Sequence, residues 1–160
     1  MPKGSVALSL FHVLCEVLDR EGWDYEYDSK NEKIRLEIRG VHTNFSCLLI
    51  VDDEQESILC NTYVAFKVPE AKRLAVCEFM NRANYELPNG NFEMDMDDGS
   101  IRFRTFLDLA AAQPSSDQIL NLIWTGAQSF DTYSPGLMKL LYGNFSVVEA
   151  IEFCSDEVEN

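Results

Sequence analysis

The stretch from Asn81 to Leu109, NRANYELPNGNFEMDMDDGSIRFRTFLDL, constrains the fold more than any other part of the chain. Phe92, Met94 and Met96 alternate with Glu93 and Asp95, Asp97-Asp98-Gly99 intervenes, and Ile101, Phe103, Thr105 and Leu107 then alternate with Arg102, Arg104, Phe106 and Asp108. A period of two on both sides of a glycine-containing turn predicts a β-hairpin with one apolar and one polar face. Gly99 suits a position of positive φ, and the aspartates suit the other turn positions.

The rest of the chain supplies partners for that hairpin. Ser5 to Glu21 reads as a helix, because Val6, Leu10, Phe11, Leu14, Val17 and Leu18 fall at three- and four-residue spacings. Ser5 is its expected cap and Gly22 its expected end. Trp23, Tyr25 and Tyr27 alternate with acidic residues, and Ile34, Leu36 and Ile38 with mostly basic ones. Paired antiparallel, these two strands would place opposite charges side by side on the outer face. Thr43 to Asp52 and Ser57 to Val68 read as two further strands. Pro69 is expected to open a second helix reaching about Arg82. Ser115-Ser116-Asp117-Gln118 is a capping box for a third helix, which Ser134-Pro135 is expected to kink or break. Val147 to Phe153 adds a helical turn or two. The expected fold is therefore α+β and two-layered, with an antiparallel sheet of about six strands and three main helices in the order α-β-β-β-β-α-β-β-α. One domain over residues 1–154 and an acidic, frayed end at 155–160 complete the reading.

Charge narrows the partners. The formal net charge is −14, which repels nucleic-acid phosphates and anionic lipid. No apolar run is long enough for a membrane span, and Lys3 alone is a poor start for a signal peptide whose apolar stretch His12, Glu16 and Asp19 would interrupt. Cys15, Cys47, Cys60, Cys77 and Cys154 are scattered and odd in number, as expected of reduced thiols in a cytoplasmic protein.

Catalytic patterns are missing. The acidic run Glu93, Asp95, Asp97 and Asp98 fails as a calcium loop, because its first and last ligand positions would be Met94 and Thr105. A solvated hairpin face explains it better. His12 and His42 have no second ligand at metal spacing, and neither a nucleophile elbow nor a nucleotide-binding glycine pattern occurs. No catalytic residue, metal site or cofactor is expected.

Asn81, Arg82, Asn84, Leu87, Gly90, Phe92, Glu93, Asp95, Gly99, Ile101, Arg102, Phe103 and Leu107 closely resemble the core signature of the YbjN-domain family. That family is grouped by label under bacterial sensory transduction regulation. Tyr133 to Leu137 and Ala150-Ile151 are similar to its cyanobacterial branch. The resemblance implies a fold like that of type III secretion chaperones, with Asn84, Gly90, Phe92 and Gly99 as structural signature residues and no catalytic residues to carry over.

These readings lead to a non-enzymatic protein-binding module, chaperone-like or regulatory. The third and fourth strands carry Leu48, Ile50, Leu59 and Tyr63 on their second face. If helices cover only one side of the sheet, that strip is either exposed or covered by another chain, a protein partner or a second copy in a weak homodimer. If the last helix folds across it with Trp124, it is core. The alternative function is a small-ligand binder or an enzyme with a pocket between helices and sheet.

Overall fold

The computed structural model describes residues 9–110 and 112–158. The chain runs α1 (Leu10–Arg20), β1 (Tyr25–Asp28), β2 (Lys33–Arg39), β3 (Asn44–Asp52), β4 (Ser57–Lys67), α2 (Arg73–Glu86), β5 (Asn91–Met94), β6 (Ser100–Asp108), α3 (Ser116–Tyr142) and α4 (Val147–Val158). All strand pairings are antiparallel, in the spatial order β1-β2-β3-β4-β6-β5. The segment containing α2 carries the chain past β6, so β5 becomes the far edge.

The pleat divides the sheet into two unlike faces. Ile34, Leu36 and Ile38 on β2, Phe45, Cys47, Leu49 and Val51 on β3, and Ile58, Cys60 and Val64 on β4 are buried. Register continues this face through Phe103 and Ile101 to Phe92. Burying an aromatic or branched aliphatic side chain contributes about 1.5–3 kcal/mol relative to exposure, so this layer dominates the folding energy.

The helices cover that face. On α3, Leu122 accepts through its carbonyl from Thr105 Oγ1 at 2.8 Å, and Phe130 stacks on Phe45 at 5.6 Å between centroids. Gly126 allows this approach: a Cβ there would lie 2.2 Å from Thr62 Oγ1. At α1, the Leu10 N–H donates to Asp53 Oδ1 at 2.8 Å, which ties the helix start to the β3–β4 turn. Trp124 packs edge-on against Trp23 at 5.3 Å. The last helices therefore do not fold across the second sheet face.

Several boundaries differ from the sequence reading. Ser9, rather than Ser5, caps α1, its hydroxyl accepting from the His12 N–H at 3.3 Å; Ser5 lies outside the described residues. Trp23 precedes β1 instead of joining it. Pro69 leads into a single 3₁₀ turn, Glu70–Lys72, and the α-helix begins only at Arg73. It continues to Glu86, where Leu87 adopts an extended conformation at ψ 126°, as the following Pro88 demands. Pro135 lies inside an unbroken α3 of 27 residues. Tertiary burial along Phe130, Leu137, Leu140 and Leu141 keeps the helix going across the missing N–H. The C-terminal segment is a 12-residue helix rather than a turn or two with a frayed end, and it reaches Val158.

Candidate functional site: the helix-free face of the sheet

Residues of the opposite parity build the second face. Lys33 lies opposite Ile50, Ile50 opposite Leu59, and Leu59 opposite Phe106, so an apolar row crosses β3, β4 and β6. The adjacent row runs Arg35, Leu48, Asn61, Arg104 and Asn91. The next brings Glu37, Ser46, Tyr63, Arg102 and Glu93 together. The sequence-predicted strip Leu48, Ile50, Leu59 and Tyr63 thus occupies one contiguous area. Each of its members is half-buried, lying against its strand neighbours without a helix above.

Phe106 is the most open apolar group here, at 56% exposure, directly opposite Leu59. Its place in the hairpin alternation already put it on the outer face, but only the β4–β6 register brings it to the strip. Asn61 is also added by the structure. It is 3% exposed, and its Oδ1 has no hydrogen-bond partner. Buried side-chain acceptors are seldom left unpaired, and this one lies beneath the row rather than at its surface.

Charge on this face differs from charge elsewhere. Lys33, Arg35, Arg39, Lys67, Arg102 and Arg104 stand on it by register. Against these stand Glu26, Asp28, Glu37, Asp52, Glu93 and Asp108. Within the strands the two sets balance, and a few further acids stand at the rim, Asp98 bridging Lys67 and Asp95 following Glu93, so most of the excess of −14 lies on the remainder of the chain.

The local pairing is uneven. Glu93 bridges Arg102 at 2.6 Å and Arg104 at 3.2 Å, and it also accepts from Asn91 Nδ2 at 3.2 Å. Burial pushes the Glu93 carboxyl up, but the hydrogen bonds from Arg102, Asn91 and Arg104 outweigh it and hold the group below its ordinary value. At the other edge, Glu26 is opposite Arg35 and Asp28 opposite Lys33, yet among the described residues none of these forms an ion pair within 4 Å. The expected cross-strand pairs are thus placed but not closed. Asp28 instead turns to Asn31 and the Lys30 N–H. This leaves Lys33 and Arg35 as cations beside the apolar row.

The signature residues serve the hairpin. Asn84, on α2, donates through its amide to the Phe92 carbonyl and accepts from the Phe92 N–H. Phe92 inserts its ring between Phe103, Phe130 and Tyr133. Gly90 is packed against Phe103, where a Cβ would stand 2.4 Å from the ring. Gly99 has φ 78°, and its missing Cβ leaves room for the Val68 carbonyl. The turn aspartates serve neighbouring backbone: Asp95 accepts from the Asp97 N–H at 2.8 Å and Asp98 from the Ser100 N–H at 2.8 Å. Among the described residues, no group of three or more His, Cys, Asp or Glu side chains converges on a point where a metal could sit. Among the same residues, no helix is long and apolar enough to cross a membrane.

Comparison with known proteins bears on the fold and the family. Over 94% of this chain and 96% of the other, the structure is similar to a crystal structure of YbjN, "a putative transcription regulator from E. coli", with a TM-score of 0.56 and 12% sequence identity. A weaker similarity is to a chain of the ExsC–ExsE complex, with a TM-score of 0.45, 15% identity and coverage of 76% of this chain and 90% of that one. No curated protein matches the sequence. Residues 11–138 match the profile of the family described as "Putative bacterial sensory transduction regulator", and the chain therefore belongs to the YbjN family.

Proposed function

We propose that this protein is a non-enzymatic protein-binding module of regulatory type, taking a partner chain on the helix-free face of its sheet. The observation that carries the reading is the apolar row Ile50, Leu59 and Phe106, with Leu48 beside it, on the least acidic side of an acidic protein. A partner approaching there avoids the repulsion that the rest of the surface offers. Its contact segment carries apolar side chains for the row and carboxylates for Lys33 and Arg35. Burying such a strip at about 25 cal/mol per Å² drives association, and ordering losses keep the contact moderate. Free thiols at Cys47 and Cys60 suit a reducing cytoplasm, and the acidic charge disfavours nucleic acid and anionic membrane as partners.

The test combines Leu48→Asp with Leu59→Asp, and separately uses Phe106→Asp. Both proteins are expected to stay soluble, to melt within a few degrees of the parent, and to lose concentration-dependent association in light scattering or partner capture from native extract. Unchanged association, or gross unfolding of both variants, would remove the face from consideration.

A further inference from the structure

On the helical side of the sheet, away from the face discussed above and independent of it, a groove of about 440 Å³ opens between the β2–β3 turn, the end of β4, and helices α3 and α4. Phe66, Pro135, Met138 and Phe153 make its walls apolar, and His42 closes one rim. Its size falls in the range of small-molecule sites.

Two polar groups in it lack partners of their own. Ser134 is 5% exposed, and its Oγ makes no hydrogen bond. A helical serine ordinarily satisfies itself on the carbonyl four residues back, so this buried hydroxyl remains open to an acceptor entering the groove. Lys139, one turn beyond Pro135, also lines the groove. Its ammonium stands over the rings of Phe145 and Phe153, at 5.7 and 5.5 Å. Among the described residues, no carboxylate lies within ion-pair distance of it. The rings hold the cation in place without neutralising it. The nearby carboxylate of Asp131 is turned to the β2–β3 turn, accepting from the Val41 N–H at 3.0 Å and the His42 N–H at 3.2 Å.

We infer that this groove is a binding site for a small apolar carboxylate, its body between Phe66, Met138 and Phe153, its anionic head on Lys139, and a second acceptor on Ser134. Among the described residues this is one unneutralised cation at an apolar groove, an arrangement that selects a monoanion over a neutral or multiply charged ligand.

The probe is 4-phenylbutyrate, titrated into the full-length protein and followed by amide chemical shifts. Saturable shifts are expected at Ser134, Met138, Lys139 and Phe153. The alcohol 4-phenylbutanol and the variant Lys139→Met are each expected to weaken binding about tenfold, and Ser134→Ala to weaken it several-fold with the fold intact. Lack of saturation in the millimolar range would overturn the assignment. So would shifts centred on Leu48 and Phe106, or equal affinity for the acid and the alcohol.

Discussion

Asn84 holds Phe92 by both of its main-chain groups, donating to the carbonyl at 3.1 Å and accepting from the N–H at 2.7 Å. Phe92 lies on β5, the outermost strand, so these groups face away from β6 and would otherwise be an open sheet edge. One side chain from α2 thereby substitutes for a residue of a seventh strand. The same contact fixes the height at which the Phe92 ring enters the core, 4.8 Å from Phe103 and 5.2 Å from Phe130.

Asn84→Ala is therefore expected to cost about 1–3 kcal/mol, since it strands a part-buried donor and acceptor together. Hydrogen exchange should accelerate at the Phe92 amide more than at amides of β3. A midpoint within experimental error of the parent would show that water replaces the clamp without loss.

Gly99→Val should be more damaging. The backbone there has φ 78°, and a Cβ would meet the Val68 carbonyl oxygen at 2.2 Å. Strain from a β-branched residue at positive φ, added to the overlap, predicts a loss of at least about 2 kcal/mol. Chemical denaturation measures it; an unchanged midpoint would contradict the turn geometry.

Gly126→Ala tests the contact between α3 and the sheet. The added methyl would overlap Thr62 Oγ1, so either the helix lifts from β4 or Thr62 changes rotamer. A loss of about 1–3 kcal/mol is expected, and the double variant with Thr62→Ser is expected to recover little, because the hydroxyl is the clashing atom. Full recovery would point to the Thr62 methyl instead.

Much of this architecture was legible in the sequence. The alternation from Lys33 to Arg39 is strict, that from Ile101 to Asp108 is broken only by the outward Phe106, and the strands follow it. Burial on one face is enough to impose that pattern. Pro135 does not break the helix, because its local cost is real but the buried stripe on either side outweighs it. The 3₁₀ turn after Pro69 was invisible for the opposite reason, since nothing in Glu70 to Lys72 distinguishes a tight turn from an α-helix start. The candidate face was half legible: Leu48, Ile50, Leu59 and Tyr63 can be assigned by parity alone. Phe106 and Asn61 join them only through the pairing of β4 with β6, a contact between segments separated by a helix and a hairpin strand. The groove at Ser134 and Lys139 depends on how α4 returns beside α3, for which the sequence carries no local signal.

Acid should loosen the β5–β6 edge. Glu93 is held below its ordinary value in the folded state, so its contribution is present above the unfolded carboxyl value, near pH 4.3, and is lost as pH falls through the lower folded value. Glu93→Gln is expected to cost about 1 kcal/mol at pH 7. The gap between parent and variant should stay constant down to about pH 4.3 and close below it. A gap independent of pH would mean that Glu93 contributes by packing rather than by charge.

Site-specific photo-crosslinking in the native cell tests the partner face most directly. A benzoylphenylalanine at Phe106 places a reactive group on the apolar row, while the same residue at Tyr85, on α2 of the helical layer, is even more exposed, at 88% against 56%. The account predicts a discrete protein adduct from position 106 that disappears with Leu48→Asp, and no adduct from position 85. Adducts from position 85 with none from position 106 would contradict it.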